Sequence, residues 1–316
     1  MNIERILLAT DCSPEAEGAE VYASMMAELW GADLTVVNVL EFAPGLNPEY
    51  PVNRLYLTEM MKSATRTLAE LKVRAEGRGI SVQTQIATGI PSQEVLGAAE
   101  AHDVDLVVVG TLGKTGLKHV LLGSTAERVI RASPCPVLVV RDEWSKGGQV
   151  GSGPRPAALD RILVPVDFSD CSLDALEYAA VVARRAKASL TLLHVLEPVS
   201  YGLDFTLTIP GSRERKKEAA AERLAGVVAA LKNANVSSDY VLRGGLPNDS
   251  ILEAAKTSSA DMIVMGTHGR RGLSHALYGS VAEFVLRNSR CPVLTVRSPK
   301  FKSGHRRVLE APSPKQ

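Results

Sequence analysis

The chain contains one segment twice, and this duplication limits its fold more than any other feature of the sequence. The run VVVGTLGKTGLKHVLLGS at 107–124 returns as IVMGTHGRRGLSHALYGS at 263–280, an offset of 156 residues. The same offset separates Asp11 from Asp167, far upstream of each segment. Landmarks that stay in step over such a distance indicate a duplicated domain. The 316 residues therefore predict two tandem domains, each long enough to bury its own core.

Each copy of the segment places three glycines behind an apolar run of strand length, in the pattern Gly-x2-Gly-x9-Gly-Ser. The glycines are Gly110, Gly113 and Gly123 in the first copy and Gly266, Gly269 and Gly279 in the second. Glycine lets the main chain turn and lets a ligand approach the bare backbone, while the N–H groups of the following helix start attract anions. The motif therefore predicts a phosphate-binding loop in each domain.

A P-loop is the competing interpretation, because Gly113-Lys114-Thr115 looks like its end. A P-loop follows the pattern Gly-x4-Gly-Lys-Ser/Thr, so its first glycine would fall at position 108. That position holds Val108, and the second copy replaces the lysine by Arg270. The P-loop interpretation fails in both copies.

Strand and helix patterns alternate through each domain, which is typical of a parallel sheet covered by helices on both faces. The predicted strands lie at 5–10, 34–40, 81–87, 105–109 and 136–140, and again at 161–166, 190–196, 237–242, 261–265 and 292–296. In such a sheet a ligand binds beyond the carboxyl ends of the strands, where the connections depart in opposite directions. Asp11 and the first glycine loop can meet there only if strands one and four are neighbours, as strand order 3-2-1-4-5 provides.

The repeated motif resembles that of the universal stress protein family, whose ATP-binding members carry Gly-x2-Gly-x9-Gly-Ser/Thr at this place. The resemblance covers nearly the whole chain and implies an α/β fold of two Rossmann-like domains. Each domain is expected to be a five-stranded parallel sheet of order 3-2-1-4-5, in agreement with the order inferred above. The expected domains are 1–142 and 159–297, with a flexible linker at 143–158 and a disordered basic tail at 298–316.

The resemblance also implies an adenine nucleotide, ATP with or without Mg²⁺, as the cofactor. In this pose Asp11 or Asp167 accepts from the adenine amine or a ribose hydroxyl, and the backbone of Val39 or Val195 contacts the adenine edge. Gly110 or Gly266 lets the ribose lie close to the main chain. The expected donors to the phosphates are Gly113, Gly123, Ser124 and Thr125 in the first domain and Gly269, Arg270, Gly279, Ser280 and Val281 in the second.

Several of these residues also have a purely structural interpretation. Turns favour aspartate, so Asp11 and Asp167 could simply stabilise the loops that follow the first strands. Arg270 could be a solvated loop residue. His268 has Leu112 as its counterpart in the first copy, which argues against an obligatory catalytic histidine. No catalytic residue and no metal ligand is predicted.

Composition limits the setting in which the chain works. Four cysteines without metal-ligand spacing, and an N-terminus without a secretory pattern, favour a reducing, cytoplasmic compartment. No apolar stretch approaches eighteen residues, so no membrane span is expected. The tail at 298–316 lacks dense basic clusters interleaved with aromatic residues, and a nucleic-acid partner is not expected either.

The function that these patterns favour is an ATP-binding universal stress protein that acts as a cytoplasmic stress-response regulator on an unidentified protein partner. One alternative is a slow ATPase or nucleotidyl-transferring enzyme on the same fold. The chain has neither a His-x-Gly-His nor a Ser-Gly-Gly-x-Asp signature, which argues against it. The other alternative is an interaction scaffold without nucleotide, but intact glycines in both copies argue against that.

Two further expectations concern the relation between the domains. Valine-rich fifth strands at 136–140 and 292–296 are sheet edges in the expected order, and edges are normally covered or paired. The two domains are therefore expected to pair through these strands, and a homo-oligomer is a further option. The second site is expected to bind nucleotide more tightly, because its loop matches the family pattern more closely and the first domain is acidic.

Overall fold

The chain folds as two compact units, Met1–Ala157 and Ala158–Gln316. The computed structural model describes residues 2–41, 50–111, 122–141, 159–197, 212–268 and 279–297. The predicted linker at 143–158 and the predicted tail at 298–316 lie outside these ranges. No helix in the described ranges is long and apolar enough to cross a membrane.

The first unit alternates strands and helices, as the sequence predicts. Its strands are β1 (Arg5–Ala9), β2 (Asp33–Leu40), β3 (Val82–Thr88), β4 (Leu106–Gly110) and β5 (Val137–Val140). Its helices are α1 (Glu17–Trp30), α2 (Pro51–Glu76), α3 (Pro91–Ala101) and α4 (Ser124–Ala132). A short 3-10 helix, Pro14–Ala16, leads into α1.

The second unit repeats the same series of elements. Its strands are β6 (Arg161–Pro165), β7 (Ser189–Leu196), β8 (Ser238–Gly244), β9 (Met262–Gly266) and β10 (Val293–Val296). Its helices are α5 (Asp170–Ala186), α6 (Ser212–Asn233), α7 (Pro247–Thr257) and α8 (Ser280–Asn288).

Strand order confirms the prediction in both units. The first unit has the order β3-β2-β1-β4-β5 and the second has β8-β7-β6-β9-β10, with parallel neighbours throughout each set. In the register of the central strands, Ala9 lies opposite Val37 of β2 on one side and Val109 of β4 on the other. The central strands are buried on both faces and consist of continuous apolar residues, as parallel sheets require. Pairing between the two units stays a prediction.

Helices cover the two faces of the first sheet in pairs. Right-handed crossovers place α1 and α2 on one face, because β1, β2 and β3 step in one direction, and α3 and α4 on the other. On the first face Arg74 of α2 bonds Glu20 of α1 at 3.1 Å, and Arg78 bonds Glu28. Burial raises the pKa of Glu20, and the charge of Arg74 only partly offsets this. These pairs fix which side of α2 faces α1.

Candidate functional site

The carboxyl ends of β1 and β4 lie side by side and bring the predicted site residues of the first unit to one edge. Asp11 follows β1 by two residues, and Gly110 ends β4, its neighbour. Val39 lies near the same end of β2, on the other side of β1. The second unit brings Asp167, Gly266 and Val195 together in the same way, since β6 lies between β7 and β9.

Each aspartate is held in a tight loop after its strand. Asp11 Oδ1 accepts from Ser13 N at 3.0 Å and from Ser13 Oγ at 2.6 Å. Asp167 Oδ1 accepts from Ser169 at the same two distances. The structure therefore gives both carboxylates the turn-stabilising role that the structural interpretation predicts. Their position at the sheet edge is also the one that ligand binding needs.

The residue after each aspartate has a left-handed backbone, with φ of 59° at Cys12 and 62° at Phe168. This conformation is unfavourable for residues with a side chain, and such strain tends to concentrate at functional sites. It reverses the chain directly after the carboxylate, so that the serine can close the loop. The short pattern Asp-x-Ser thus specifies the same loop in both units, with different residues in the middle.

A buried polar side chain on the second strand of each unit bonds the main-chain carbonyl just before the aspartate. Asn38 Nδ2 donates to Thr10 O at 2.9 Å, and His194 Nδ1 lies 2.6 Å from Val166 O, to which it must donate. Asn38 is 3 % exposed, and its Oδ1 has no hydrogen-bond partner among the described residues. Asn38 and His194 were not among the residues predicted from the sequence. The available signal was one polar residue in each apolar strand, in TVVNVL and TLLHVL, at the repeat offset.

The second unit surrounds its loop with aromatic and cationic groups. The Phe168 ring lies 5.0 Å from the His194 ring, and the Arg223 guanidinium lies 4.1 Å from the centre of the Phe168 ring. In the first unit the corresponding neighbours are Cys12 and Asn38, with Sγ 3.6 Å from Nδ2. The two sites therefore have the same loop backbone but different side chains beside the aspartate.

Hydrogen bonds tie together the two ends of each glycine loop. Gly123 N donates to Thr111 O at 2.7 Å, and Gly279 N donates to Thr267 O at the same distance. Both threonines are fixed by the fifth strands, since their N–H groups donate to Val140 O and Val296 O. The described residues on the two sides of 112–121 and of 269–278 are thus held together at the sheet edge. Gly113, Gly269 and Arg270 lie outside the described residues.

The helices that follow these loops begin at glycines, which have no side chain of their own to cap the helix. Gly123 and Gly279 are their N-cap residues, both with extended backbone and no side-chain cap bond. Ser124 and Ser280 are exposed in the first turn, while Thr125 and Val281 are half-buried. By contrast, Ser169 Oγ caps α5 by accepting from Ser172 N at 3.3 Å. Uncapped first-turn N–H groups with the helix dipole behind them form a favourable place for an anion.

Two of the motif glycines also have structural reasons to lack a side chain. A Cβ on Gly266 would stand 2.8 Å from the carbonyl carbon, oxygen and Sγ of Cys171 in α5. A Cβ on Gly123 would stand 3.1 Å from Thr111 O. Close packing of helix on strand therefore accounts for Gly266 independently of any ligand.

The hydroxyl groups next to the fourth strands differ between units. Thr111 is 3 % exposed, and its Oγ1 has no hydrogen-bond partner in the described ranges. Thr267 Oγ1 instead lies 2.9 Å from His268 Nδ1. His268 thus has a local bonding role that Leu112 cannot reproduce.

Neither Cys135 nor Cys291 belongs to this edge. Each precedes its fifth strand beside a serine whose Oγ bonds the cysteine main chain. Burial raises the pKa of each thiol to about 11. Packing is therefore their role. No group of three or more His, Cys, Asp or Glu side chains gathers as metal ligands in the described parts of the chain.

Comparison with known proteins places the duplicated fold in a family. The profile of the universal stress protein family matches residues 2–141 and again residues 158–297. The chain belongs to the universal stress protein family. It is 30% identical over 300 residues to a universal stress protein of Mycolicibacterium smegmatis, covering 92% of this chain and 96% of that protein.

Two further relatives show a single-domain match and a full-length structural match. Universal stress protein MJ0531 of Methanocaldococcus jannaschii is 34% identical over 139 residues, which is 44% of this chain and 82% of that protein. The crystal structure of a universal stress protein from Archaeoglobus fulgidus has a TM-score of 0.70 and 25% identity. It covers 93% of this chain and 98% of its own. The tandem arrangement is thus shared along the full length of a solved family member.

Proposed function

We propose that this chain is a cytoplasmic stress-response regulator that binds ATP at the carboxyl edge of each sheet. One observation carries the proposal: both units combine a fixed carboxylate, a glycine loop with tied ends and an uncapped helix start at one edge. Each feature also has a structural role. Together, at the same edge of both sheets, they provide an acceptor for a polar base or ribose and an N–H-rich helix start for the phosphates of a nucleotide.

In the proposed complex, the carboxylates of Asp11 and Asp167 accept from the adenine amine or a ribose hydroxyl. The main chains at Val39 and Val195 contact the base edge. The phosphates lie at the starts of α4 and α8, against the first-turn N–H groups and the hydroxyls of Ser124 and Ser280. Charge-assisted hydrogen bonds contribute roughly 1.5 to 3 kcal/mol each, so three or four suffice for micromolar binding after association costs.

A magnesium ion would be held at this site mainly by the phosphate oxygens of the nucleotide. Mg²⁺ prefers carboxylate and phosphate oxygens and keeps several waters, and triphosphate supplies such oxygens itself. In the first unit, Asp11 is the motif residue that could complete its shell, but Oδ1 of this carboxylate is already bonded to Ser13. The ion would neutralise phosphate charge beside the start of α4.

Native mass spectrometry of the freshly purified protein tests this proposal. The expected result is a population carrying one or two adenine nucleotides, which disappears after denaturation and refolding without nucleotide and returns on addition of ATP. The Asp11→Ala, Asp167→Ala double variant is expected to carry less nucleotide. A protein that carries no nucleotide and takes up none from millimolar ATP would refute the proposal.

A further inference from the structure

Strand β3 forms one end of the first sheet, and no described strand pairs with its outer edge. It pairs with β2 without a bulge, from Leu34 opposite Val82 to Leu40 opposite Thr88. Its sequence, VQTQIAT, has neither a charged residue nor a proline. Charges, prolines and bulges are the devices that normally keep an edge from pairing with another chain. Strand β3 has none of them.

Helix α2 lies against this edge and presents a defined side beyond it. Ala64, Leu68, Leu71 and Ala75 are its buried residues and face the sheet, while Arg74 marks the side that bonds α1. With 3.6 residues per turn, the side opposite Arg74 faces away from α1 and out past β3. The outer stripe on that side consists of Thr58, Met61, Thr65 and Ala69, and Lys72, paired with Glu76 at 3.7 Å, continues it towards the end of the helix.

The outer stripe is a shallow groove with small residues and one large apolar residue. Its four members line the groove together with Lys62 and Arg66. Met61 is 48% exposed. Small side chains at this spacing let another helix approach closely, and an exposed methionine supplies apolar surface for it.

We propose that two copies of the chain associate through this edge. Strand β3 pairs antiparallel with β3 of the second copy, and the outer stripes of the two α2 helices pack together on one face of the joined sheet. A two-fold axis perpendicular to the sheet produces both contacts at once. Centred on Gln85, it places Thr84 opposite Ile86; centred on Thr65, it places Met61 opposite the small Ala69 of the other helix.

The spacing of the two layers agrees with this arrangement. Strands lie about 4.8 Å apart, so two α2 helices that each lie above the gap between β2 and β3 would have axes about 10 Å apart. Packed helices have interaxial distances of about 8 to 10 Å. Measured along helix α2, Thr65 lies about 15 Å from Ala75, and measured along strand β3, Gln85 lies about 10 Å from Val82, which is at the same end of the sheet. The positions of Thr65 and Gln85 along the sheet therefore agree within about one helical turn, so one two-fold axis can pass close to both.

Charge also permits this association. Lys62 bonds Glu59 at 2.9 Å, and Arg66 bonds Glu70 at 3.0 Å, so the charges beside the outer stripe are balanced within each helix. Two copies can therefore meet without bringing net like charges together.

The second unit provides an internal contrast at the same offset of 156 residues. On α6, Glu214 and Lys217 stand in place of Thr58 and Met61, and Glu218 and Glu222 stand in place of the two flanking basic residues. If two α6 helices packed together in the same way, these glutamates would lie close to one another and repel. Strand β8 also carries Asp239 and Arg243 where β3 has Gln83 and Ala87. The proposed association therefore involves the first unit only.

Sedimentation velocity on the full-length protein tests the association. The wild type is expected to dimerise in the micromolar range, and Gln85→Lys is expected to weaken the dimer at least tenfold, because two lysines would meet at the axis. Met61→Glu is expected to act in the same direction. Val241→Lys and Lys217→Glu, the matched changes in the second unit, are expected to leave the dimer unchanged. A wild type that is monomeric at about 100 μM, or a dimer indifferent to both first-unit changes, would overturn the proposal.

A cross-linking variant gives a second, independent readout. Residues opposite each other in an antiparallel pair have Cα atoms about 4.5 to 5.5 Å apart, which is within disulfide range. Oxidised Gln85→Cys is therefore expected to form a disulfide-linked dimer, above the background of the wild type, while Val241→Cys is not. Equal cross-linking of the two variants, or none by Gln85→Cys, would contradict the two-fold axis at β3.

Discussion

The loops after β1 and β6 have the same backbone but different side chains. In both, an aspartate bonds the serine two residues on, the residue between them is left-handed, and a buried side chain donates to the carbonyl just before the aspartate. The first unit uses Cys12 and Asn38 where the second uses Phe168 and His194. The loop geometry therefore depends on the Asp-x-Ser pattern and the tied carbonyl, and the remaining residues are free to set what a ligand meets.

Under the proposed function, this difference favours the second unit as the stronger nucleotide site. Phe168 with Arg223 over its ring gives the second site an aromatic face and a positive charge. At the corresponding positions the first site has a thiol and an amide oxygen, the latter without a hydrogen-bond partner in the described part of the chain. Residues 1–150, moreover, contain 13 Lys and Arg against 19 Asp and Glu, which disfavours a polyanion in the first unit.

The largest expected effect is on the packing under the second loop. Gly266→Val is expected to destabilise the second unit by about 3 kcal/mol, because its Cβ would meet Cys171 at 2.8 Å in a close-packed core. Urea unfolding measures this change. Gly226→Ala is the control, since that helical glycine has nothing within 4 Å and alanine favours helix by about 1 kcal/mol. Equal stabilities for the two variants would show that α5 leaves room for a side chain at position 266.

The next effect separates the thiol of the first loop from the two thiols that precede the fifth strands. With pKa values of about 11 against an ordinary 9.0, Cys135 and Cys291 have a thiolate fraction near pH 8 that is lowered about 100-fold. Their alkylation is expected to rise only as the pH approaches 11. Half-buried Cys12 is expected to react first and to be protected by ATP.

Peptide mapping after timed alkylation measures these rates, with Cys12→Ser as the control. Reaction of Cys135 at the rate of Cys12 would contradict the burial argument. If ATP did not slow the modification of Cys12, the first site would not be occupied by ATP. That result would contradict the expectation that both units bind nucleotide.

A smaller effect tests the tied carbonyl. His194→Asn keeps a donor for Val166 O, as Asn38 does for Thr10 O, and is expected to cost about 1 kcal/mol through loss of the ring contact with Phe168. His194→Leu leaves the carbonyl without its donor and is expected to cost about 2 kcal/mol. Urea unfolding of the two variants measures the difference. If leucine were tolerated as well as asparagine, the hydrogen bond would not stabilise the loop.

Much of the fold could be predicted because strand patterns, turns and the repeat offset all indicate the same architecture. Order 3-2-1-4-5 follows from requiring Asp11 beside the glycine loop, and the β1 to β4 pairing confirms it. Strand bounds differed from the predicted ones by one or two residues. The roles of Ser13 and Ser169 could not be told apart from the sequence, because both bond their aspartate but only Ser169 also caps a helix.

The support of the loops could not be predicted, because it depends on contacts distant in the chain. A single Asn38 in an apolar strand does not show which carbonyl it will reach, 28 residues away. Nor does a motif show that Cys171 packs on Gly266, which makes that glycine necessary without a ligand. Single-residue roles within a motif therefore need the tertiary contacts before they can be assigned to binding.

Calorimetric titration of the full-length protein with ATP tests the central claim most directly, using Ser124→Glu and Ser280→Glu as matched variants. Both serines are exposed in a first helical turn, where a glutamate favours the helix but repels a bound phosphate. The wild type is expected to bind two ATP with unequal affinities, Ser280→Glu to weaken the tighter step about tenfold and Ser124→Glu the weaker one. Two binding steps that neither variant alters would contradict phosphate binding at these helix starts, and loss of the tighter step in Ser124→Glu would reverse the ranking of the sites.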